Sequence, residues 1–453
     1  MRIRFWGTRG SLPRPGPATL RYGGNTSCVE VRTGAGTLIV LDCGTGAHEL
    51  GQALMQPSPR ALRGHLLISH THWDHIQGFP FFAPLFDAGS EWDIYAPGGL
   101  GKRLEETLAG QMEYTYFPVT LEQLGATVRY HDLVEGAFEI NDVYVIARYL
   151  NHPALTLGYR LETGGASLVY AVDHEPHASH HPGTESPDGA VPVHQEDRRH
   201  IEFLAGADLV IHDATYTLEE YSQRVGWGHS PVEYAVDVAI AAQARRLALF
   251  HHSLNRDDDS LDRILAQCRE RARSRGSSLE IFAAAEGQEI ELPERERRRE
   301  GGVDDTARRM MIGGVGRKTV LIVDDAPDVV GVLMRTLQSE GYRLLSAEDG
   351  DSALRIARRE RPDLILLDWI LPVRDGLEVC RTLRAELDPK LRDVPIVLIT
   401  AQTEPEHVAA GFAAGATDYL TKPFKVAHVR SRVRGWILRT AATTDGKDAG
   451  DTA

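Results

Sequence analysis

The chain has 453 residues, 42% apolar and 25% charged, enough to bury two ordinary globular cores and unlike a disordered or fibrous chain. Its net charge of -14 opposes a polyphosphate backbone at long range, so a general nucleic-acid binder is disfavoured and only transfer RNA is left open. No apolar run is as long as a membrane span, the N-terminus MRIRFWGTRGSLP lacks the core of a secretion signal, and Cys28, Cys43, Cys268 and Cys380 show no C-x-x-C spacing, so a reduced, cytoplasmic protein is expected.

In chain order, IRFWG, CVEV, TLIVLDCG, HLLISH, WDIYAP, VYVIARYL, SLVYAVD, LVIHDAT and LALFHHS are β-branched or aromatic runs set between turn residues. With helical segments inserted, they predict sheets flanked by helices over residues 1–295, closed by the strand-like SLEIFAAAEGQEIEL. ERERRREGGVDDTARRMMIGGVGRK has no sustained apolar period and predicts a solvated linker at 296–317. Over 318–440, the apolar runs TVLIVDD, LILLD, IVLIT and DYLTK alternate with amphipathic helices such as GLEVCRTLRAEL, which predicts an α/β unit with a parallel sheet covered on both faces. The small, polar tail at 441–453 is expected to be disordered. All but two of the nineteen histidines, His407 and His428, fall at or before His252, so the two regions carry different chemistry.

The segment HLLISHTHWDHIQGF ends an apolar strand in H-T-H-W-D-H, which brings His70, His72, Asp74 and His75 out together. Imidazoles and a carboxylate suit zinc, with manganese or iron as alternatives, whereas calcium and magnesium take mostly oxygen. H-x-H-x-D-H after a strand resembles the metallo-β-lactamase fold, an αββα sandwich, and the resemblance covers residues 1–295. It implies two metal ions, one held by His70, His72 and His152 and the other by Asp74, His75 and His251, with Asp173 bridging and His252 the alternative to His251. Asp42 in LIVLDCGTG is implied to support the histidine ligands, the plain alternative being a turn aspartate. An aspartate at 173, where many true β-lactamases carry cysteine, argues against an antibiotic-degrading enzyme.

RFWGTRGSLP with YGGNTSCVEV, and DLVIHDATY with GWGHSPVEYA, resemble the ribonuclease Z and cyclic phosphodiesterase branch. Ser230-Pro231-Val232-Glu233 reads as a capping box with proline first in the helix, which would put His229 at a helix N-terminus suited to an anion. His229 is expected to contact a phosphoryl group and protonate the leaving oxygen, oriented by Asp213, with Asp74 acting at the metal site. The segment from His174 to His200, rich in Pro, Gly and His, is either a lid or a loop without a role.

Residues 318–440 resemble a response-regulator receiver domain of the flavodoxin-like (βα)5 type. By resemblance, Asp324, Asp325, Asp368 and the carbonyl of Ile370 hold Mg²⁺, Asp368 accepts a phosphoryl group, and Thr400, Tyr419 and Lys422 form the switch. The implied function is a dinuclear-metal phosphodiesterase acting on a small or cyclic phosphodiester and regulated through Asp368. The implied partner is a sensor histidine kinase or phosphotransfer protein, and a homodimer is left open. The alternatives are a thioester or lactone hydrolase of the glyoxalase II type, or a non-catalytic metal-bound sensor or docking module.

Overall fold

The computed structural model describes residues 1–56, 61–97, 103–177, 195–293, 318–338, 340–400, 410–411, 414–422, 429–430, 433 and 436–437. The predicted linker at 296–317, the tail at 441–453 and residues 178–194 of the His174 to His200 segment lie outside them. The chain forms two compact units, Met1–Arg308 and Arg309–Ala453. No helix among the described residues is long and apolar enough to cross a membrane.

The first unit holds two seven-stranded sheets. One contains β1 (Arg2–Gly7), β2 (Cys28–Arg32), β3 (Leu38–Leu41), β4 (Arg63–Leu67), β5 (Glu91–Pro97) and β6 (Thr127–Leu133). The other contains β7 (Gly136–Ile140), β8 (Val143–Tyr149), β9 (Leu157–Thr163), β10 (Ala166–Ala171), β11 (Leu209–Asp213), β12 (Arg246–Phe250) and β13 (Glu280–Ala283). β14 (Glu289–Glu291) returns to pair with β1, so SLEIFAAAEGQEIEL supplies an edge strand to each sheet rather than one strand.

Alternation along the strands builds the layers, because successive side chains point to opposite faces. Ile39 and Leu41 of β3 join Leu168, Tyr170, Ile211 and Phe250 in the core between the sheets. Leu38 and Val40, on the other face, pack with Leu50, Phe82 and Leu108 from the helical layer beyond. Val169, Val210 and Leu249 likewise meet Val236 and Leu265 on the far side of the second sheet. β3 to β6 run parallel, as do β10 to β13, so their C-terminal ends open on one edge of each sheet.

Three strands of this unit carry no clear apolar signal. β6 holds Arg129 and His131 and is tied to β5 through Arg129–Glu91 and His131–Asp93, each at 2.8 Å. β7 and β9 are set by antiparallel pairing on either side of β8. The second unit is a parallel sheet in the order β16-β15-β17-β18-β19, from β15 (Thr319–Val323), β16 (Arg343–Ala347), β17 (Leu364–Asp368), β18 (Ile396–Thr400) and β19 (Asp418–Thr421). The edge strands β16, RLLSA, and β19, DYLT, have apolar runs of only two residues, where the three central strands are apolar through four or more.

Candidate metal centre

β4 delivers His70 just past its end, and the next turn, Trp73–Ile76, carries Asp74 and His75. Asp173 follows β10, Asp213 closes β11 and His251 follows β12, so the site gathers on the C-terminal ends of parallel strands from both sheets. Asp42, Asp173 and His251 each take a left-handed backbone, at φ 58, 56 and 57°. That conformation is costly for a residue with a Cβ, and it persists where surrounding contacts over-determine it.

Asp173 divides the cluster. Its Oδ2 lies 3.6 Å from Nε2 of both His70 and His152, while its Oδ1 lies 3.3 Å from His75 Nε2 and 3.1 Å from His251 Nε2. His72 Nδ1 is 3.2 Å from His152 Nε2, and Asp74 Oδ2 is 3.3 Å from His75 Nε2 and 3.1 Å from His251 Nε2. All seven sequence-predicted ligands are thus brought together, three on one side of Asp173 and three on the other. His252 points away, its Nε2 donating to the Ala284 carbonyl at 2.9 Å.

The donors fit a pair of cations. His70 Nε2, His75 Nε2 and Asp173 Oδ1 are buried without a hydrogen-bond partner, an expensive state unless something else satisfies them. Burial drives the imidazole of His70 well below its ordinary value, and that of His152 down to about 3, so both present the neutral form that binds metal. Burial also works against charge on His75, yet Asp74, Asp173 and Asp42 around it push it well above the ordinary value. This pocket therefore attracts positive charge, as a proton on His75 or as a metal ion.

Four of the seven are held from behind. His75 Nδ1 lies 2.7 Å from Asp42 Oδ2, and Asp42 also accepts from Ser69 N–H at 2.6 Å, Ser69 Oγ at 2.9 Å and Tyr170 OH at 2.7 Å. His152 Nδ1 donates to the Gly228 carbonyl at 2.9 Å, and His251 Nδ1 lies 3.1 Å from Thr215 Oγ1. Ser11 N–H donates to Asp74 Oδ2 at 2.7 Å, a contribution from the N-terminal loop that side-chain chemistry alone does not signal.

His229 stands beside the cluster, its ring centroid 4.9 Å from that of His251 and 5.4 Å from that of His152. Asp213 Oδ2 holds His229 Nδ1 at 2.8 Å, while Asp213 Oδ1 accepts from Thr215 N–H and Oγ1. Burial opposes charge on His229, but Asp213 first and Asp173 next raise it to about 9.

The predicted capping box is not formed. The helix is Val232–Ala241 with Pro231 as its N-cap, Ser230 Oγ donates to the His174 carbonyl at 2.5 Å, and Glu233 accepts from Leu218 N–H at 3.0 Å. Val232 N–H is taken by the Tyr216 carbonyl at 2.8 Å, so that N–H is unavailable to an anion. Tertiary partners outcompeted the local cap because both side chains are drawn to neighbouring backbone.

Glu175 is a residue the sequence did not single out. Its carboxylate accepts Gly226 N–H at 2.5 Å, Gly228 N–H at 2.8 Å and Tyr221 OH at 2.8 Å, which fixes the loop that carries His229. Glu175→Gln sets an amide donor against an N–H donor, and is expected to lower kcat about 10- to 100-fold through misplacement of His229, read in steady-state assays.

In the second unit, Asp324, Asp325 and Asp368 each offer an oxygen within 4.8 Å of the others. Lys422 Nζ lies 2.8 Å from Asp324 Oδ2 and 2.9 Å from Asp368 Oδ2. Burial pushes the Asp368 carboxyl up; Asp324 adds to this, and the Lys422 hydrogen bond opposes it. Thr400 ends β18, where its carbonyl accepts Lys422 N–H at 2.7 Å; Tyr419 lies on β19, and Ile370 follows Asp368 by two residues.

Residues 37–252 match the family model of the beta-lactamase superfamily domain, and residues 320–434 that of the response regulator receiver domain. Over 126 residues the chain is 44% identical to the probable transcriptional regulatory protein TcrX of Mycobacterium tuberculosis, covering 28% of this chain and 52% of that protein. The chain spans about half the length of the curated relatives it matches. Among solved structures it is similar to human tRNase Z, short form, at 22% identity over 65% of this chain and 100% of that chain, with a TM-score of 0.44. It is also similar to the chemotaxis response regulator CheY4 of Vibrio cholerae, at 33% identity over 27% of this chain and 99% of that chain, with a TM-score of 0.26.

Proposed function

Because the chain joins a metallo-β-lactamase fold domain of the beta-lactamase superfamily to a CheY-like response regulator receiver domain, we propose that it is a metal-dependent hydrolase of small or cyclic phosphodiesters, regulated by phosphorylation of Asp368. The observation that carries this reading is His229, backed by Asp213 at 2.8 Å and set against the ligand cluster.

His70, His72 and His152 would hold one ion, Asp74, His75 and His251 the other, and Asp173 would span both. Zinc suits this donor set, and manganese or iron accept it. When bound, two such ions supply an activated water and positive charge for the phosphoryl oxygens. The chain's own part is to place and protonate. Asp213 accepts from Nδ1–H of His229, which fixes the ring and leaves Nε2 as the nitrogen that gives a proton to the departing oxygen. An alkoxide needs that proton far more than a thiolate, whose conjugate acid has a pKa of about 8.5, so the Asp213–His229 pair favours phosphodiesters over thioesters.

In the receiver, Asp325, Asp368 and the Ile370 carbonyl would hold Mg²⁺, with Asp324 assisting through water. Asp368 would accept the phosphoryl group from a sensor histidine kinase or phosphotransfer protein. Thr400 and Lys422 would bind its oxygens, with Tyr419 as the aromatic switch.

The test uses metal-reconstituted protein with bis(p-nitrophenyl) phosphate and cyclic nucleotides, with and without acetyl phosphate. Phosphodiester turnover is expected, at a rate that acetyl phosphate changes in the wild type but not in Asp368→Ala. Thioester turnover with none on phosphodiesters would overturn the substrate class. Equal rates despite stoichiometric phosphorylation would overturn the regulation.

A further inference from the structure

Behind the candidate centre lies a second group of buried histidines that the proposed reaction does not use. His174 follows Asp173, His212 precedes Asp213, and His200 sits on the helix Gln195–Leu204. The rings of His174 and His200 stack with centroids 3.8 Å apart, and those of His200 and His212 lie 5.2 Å apart. The helix is anchored by Phe203 and Leu204, which pack with Val169, Val210 and Val236.

The hydrogen bonds fix where each proton sits. Asn151 N–H donates to His174 Nδ1 at 3.3 Å, so that nitrogen bears a lone pair and the ring proton is on Nε2, 3.2 Å from Tyr234 OH. Tyr234 in turn gives its own proton to Asp197 Oδ1 at 2.9 Å. A directed chain therefore runs from the residue beside Asp173 to the helix. His174, His177 and Asp197 have ligand-type atoms within 4.8 Å of one another, but His174 Nε2 is a donor here, which favours a hydrogen-bond chain over a further ion. On the other route, His212 Nδ1 donates to the Asp213 carbonyl at 2.8 Å. Burial holds His200 and His212 neutral, so His212 Nε2 accepts from His200 Nε2–H at 2.9 Å. One helix thus reaches both aspartates, by separate routes.

We propose that the helix Gln195–Leu204 is a positioning element for the centre: Asp197 sets Asp173 through Tyr234 and His174, and His200 sets Asp213, and so His229, through His212. The proposal deepens the reading of a phosphodiesterase with His229 as its acid and rests on it. In a dry interior a lost partner leaves a buried donor or acceptor unsatisfied, so such chains govern orientation strongly. Removing a group that supports a metal ligand from behind typically lowers affinity or rate about 10- to 100-fold. The two routes differ in what they set: metal binding through Asp173, proton delivery through His229.

The test uses the full-length protein with Tyr234→Phe, His200→Phe and His200→Gln. Phenylalanine keeps an aromatic ring and removes the hydrogen bond, whereas glutamine returns an N–H donor toward His212. Tyr234→Phe is expected to weaken Zn²⁺ binding about tenfold, read by chelator competition. His200→Phe is expected to keep wild-type Zn²⁺ affinity and KM, and to lower kcat about tenfold on cyclic nucleotides, which release an alkoxide. It should lose little on bis(p-nitrophenyl) phosphate, and His200→Gln should recover the rate. A helix that merely stabilises the fold would lower the melting temperature, with wild-type Zn²⁺ affinity in Tyr234→Phe and equal losses on both substrates in His200→Phe; either result overturns the proposal. If the wild type hydrolyses no phosphodiester, that reading falls and chelator competition alone decides. Tenfold weaker Zn²⁺ binding in Tyr234→Phe then supports the positioning role, and unchanged affinity overturns it.

Discussion

Replacing Asp173 with asparagine is expected to strip metal from the hydrolase unit and lower kcat/KM on bis(p-nitrophenyl) phosphate by about 10³-fold or more. Asp173 Oδ2 faces His70 and His152 at 3.6 Å, and Oδ1 faces His75 and His251 at 3.3 and 3.1 Å. An amide keeps the shape but loses the charge, and it turns one acceptor into a donor aimed at an imidazole nitrogen. Metal assistance of this kind is worth several kcal/mol, and each 1.36 kcal/mol is tenfold in rate. Asparagine tolerates the left-handed backbone at this position, so the substitution tests the carboxylate rather than the turn. Elemental analysis and initial rates on the same sample check it; full metal content with a rate near wild type would count against the bridging role.

His229→Ala should show a different signature. Metal content is expected to stay at the wild-type level, because no metal ligand takes its hydrogen bond from His229; that bond goes to Asp213. The rate is expected to fall by about 10²- to 10⁴-fold for an alkyl leaving group, the range of a lost general acid. For p-nitrophenolate, which departs without a proton, the loss is expected to be much smaller. A series of leaving groups measures this directly: a uniform loss across the series would show that His229 binds substrate rather than protonating it. Asp213→Asn is expected to move in the same direction by a smaller factor, since its task is to orient the ring.

The two variants separate functions that the structure holds close together. Ring centroids of His229 and His251 are 4.9 Å apart, and Thr215 Oγ1 contacts both Asp213 and His251 Nδ1. One hydroxyl therefore joins the support of a predicted ligand to the support of the predicted acid. Substitutions at Thr215 would disturb both at once, which makes Asp173 and His229 the cleaner probes.

Much of the candidate site was legible from residue type. H-T-H-W-D-H after an apolar strand needs no tertiary information to suggest a metal, because four ligand-type side chains leave one strand end together. The receiver was equally plain: Asp324, Asp368 and Thr400 all stand at or just past strand ends, and Lys422 follows β19 at a distance that reaches Asp324 and Asp368. The buried strands announced themselves by continuous apolar runs. β6, β7, β9 and β16 did not, since their pairing is set by neighbours and not by their own composition.

Other features depended on contacts between distant segments. Ser230-Pro231-Val232-Glu233 looks like a capping box locally, but His174 and Leu218 take its side chains. Glu175 resembles any loop glutamate until Gly226 and Gly228, about fifty residues on, point their N–H groups at it. His251 and His252 are indistinguishable as neighbours in the chain. Only the left-handed backbone at His251, with the Ala284 carbonyl drawing away His252, decides which imidazole faces Asp173.

Sequence by itself determined the ligand chemistry, the two-unit organisation and the buried strands, because these follow from side-chain type and short-range periodicity. Tertiary structure alone decided that each oxygen of Asp173 serves a different set of histidines, and that His252 turns away to the Ala284 carbonyl. Those arrangements depend on backbone turns at strand ends and on hydrogen bonds across scores of residues, which no local pattern encodes.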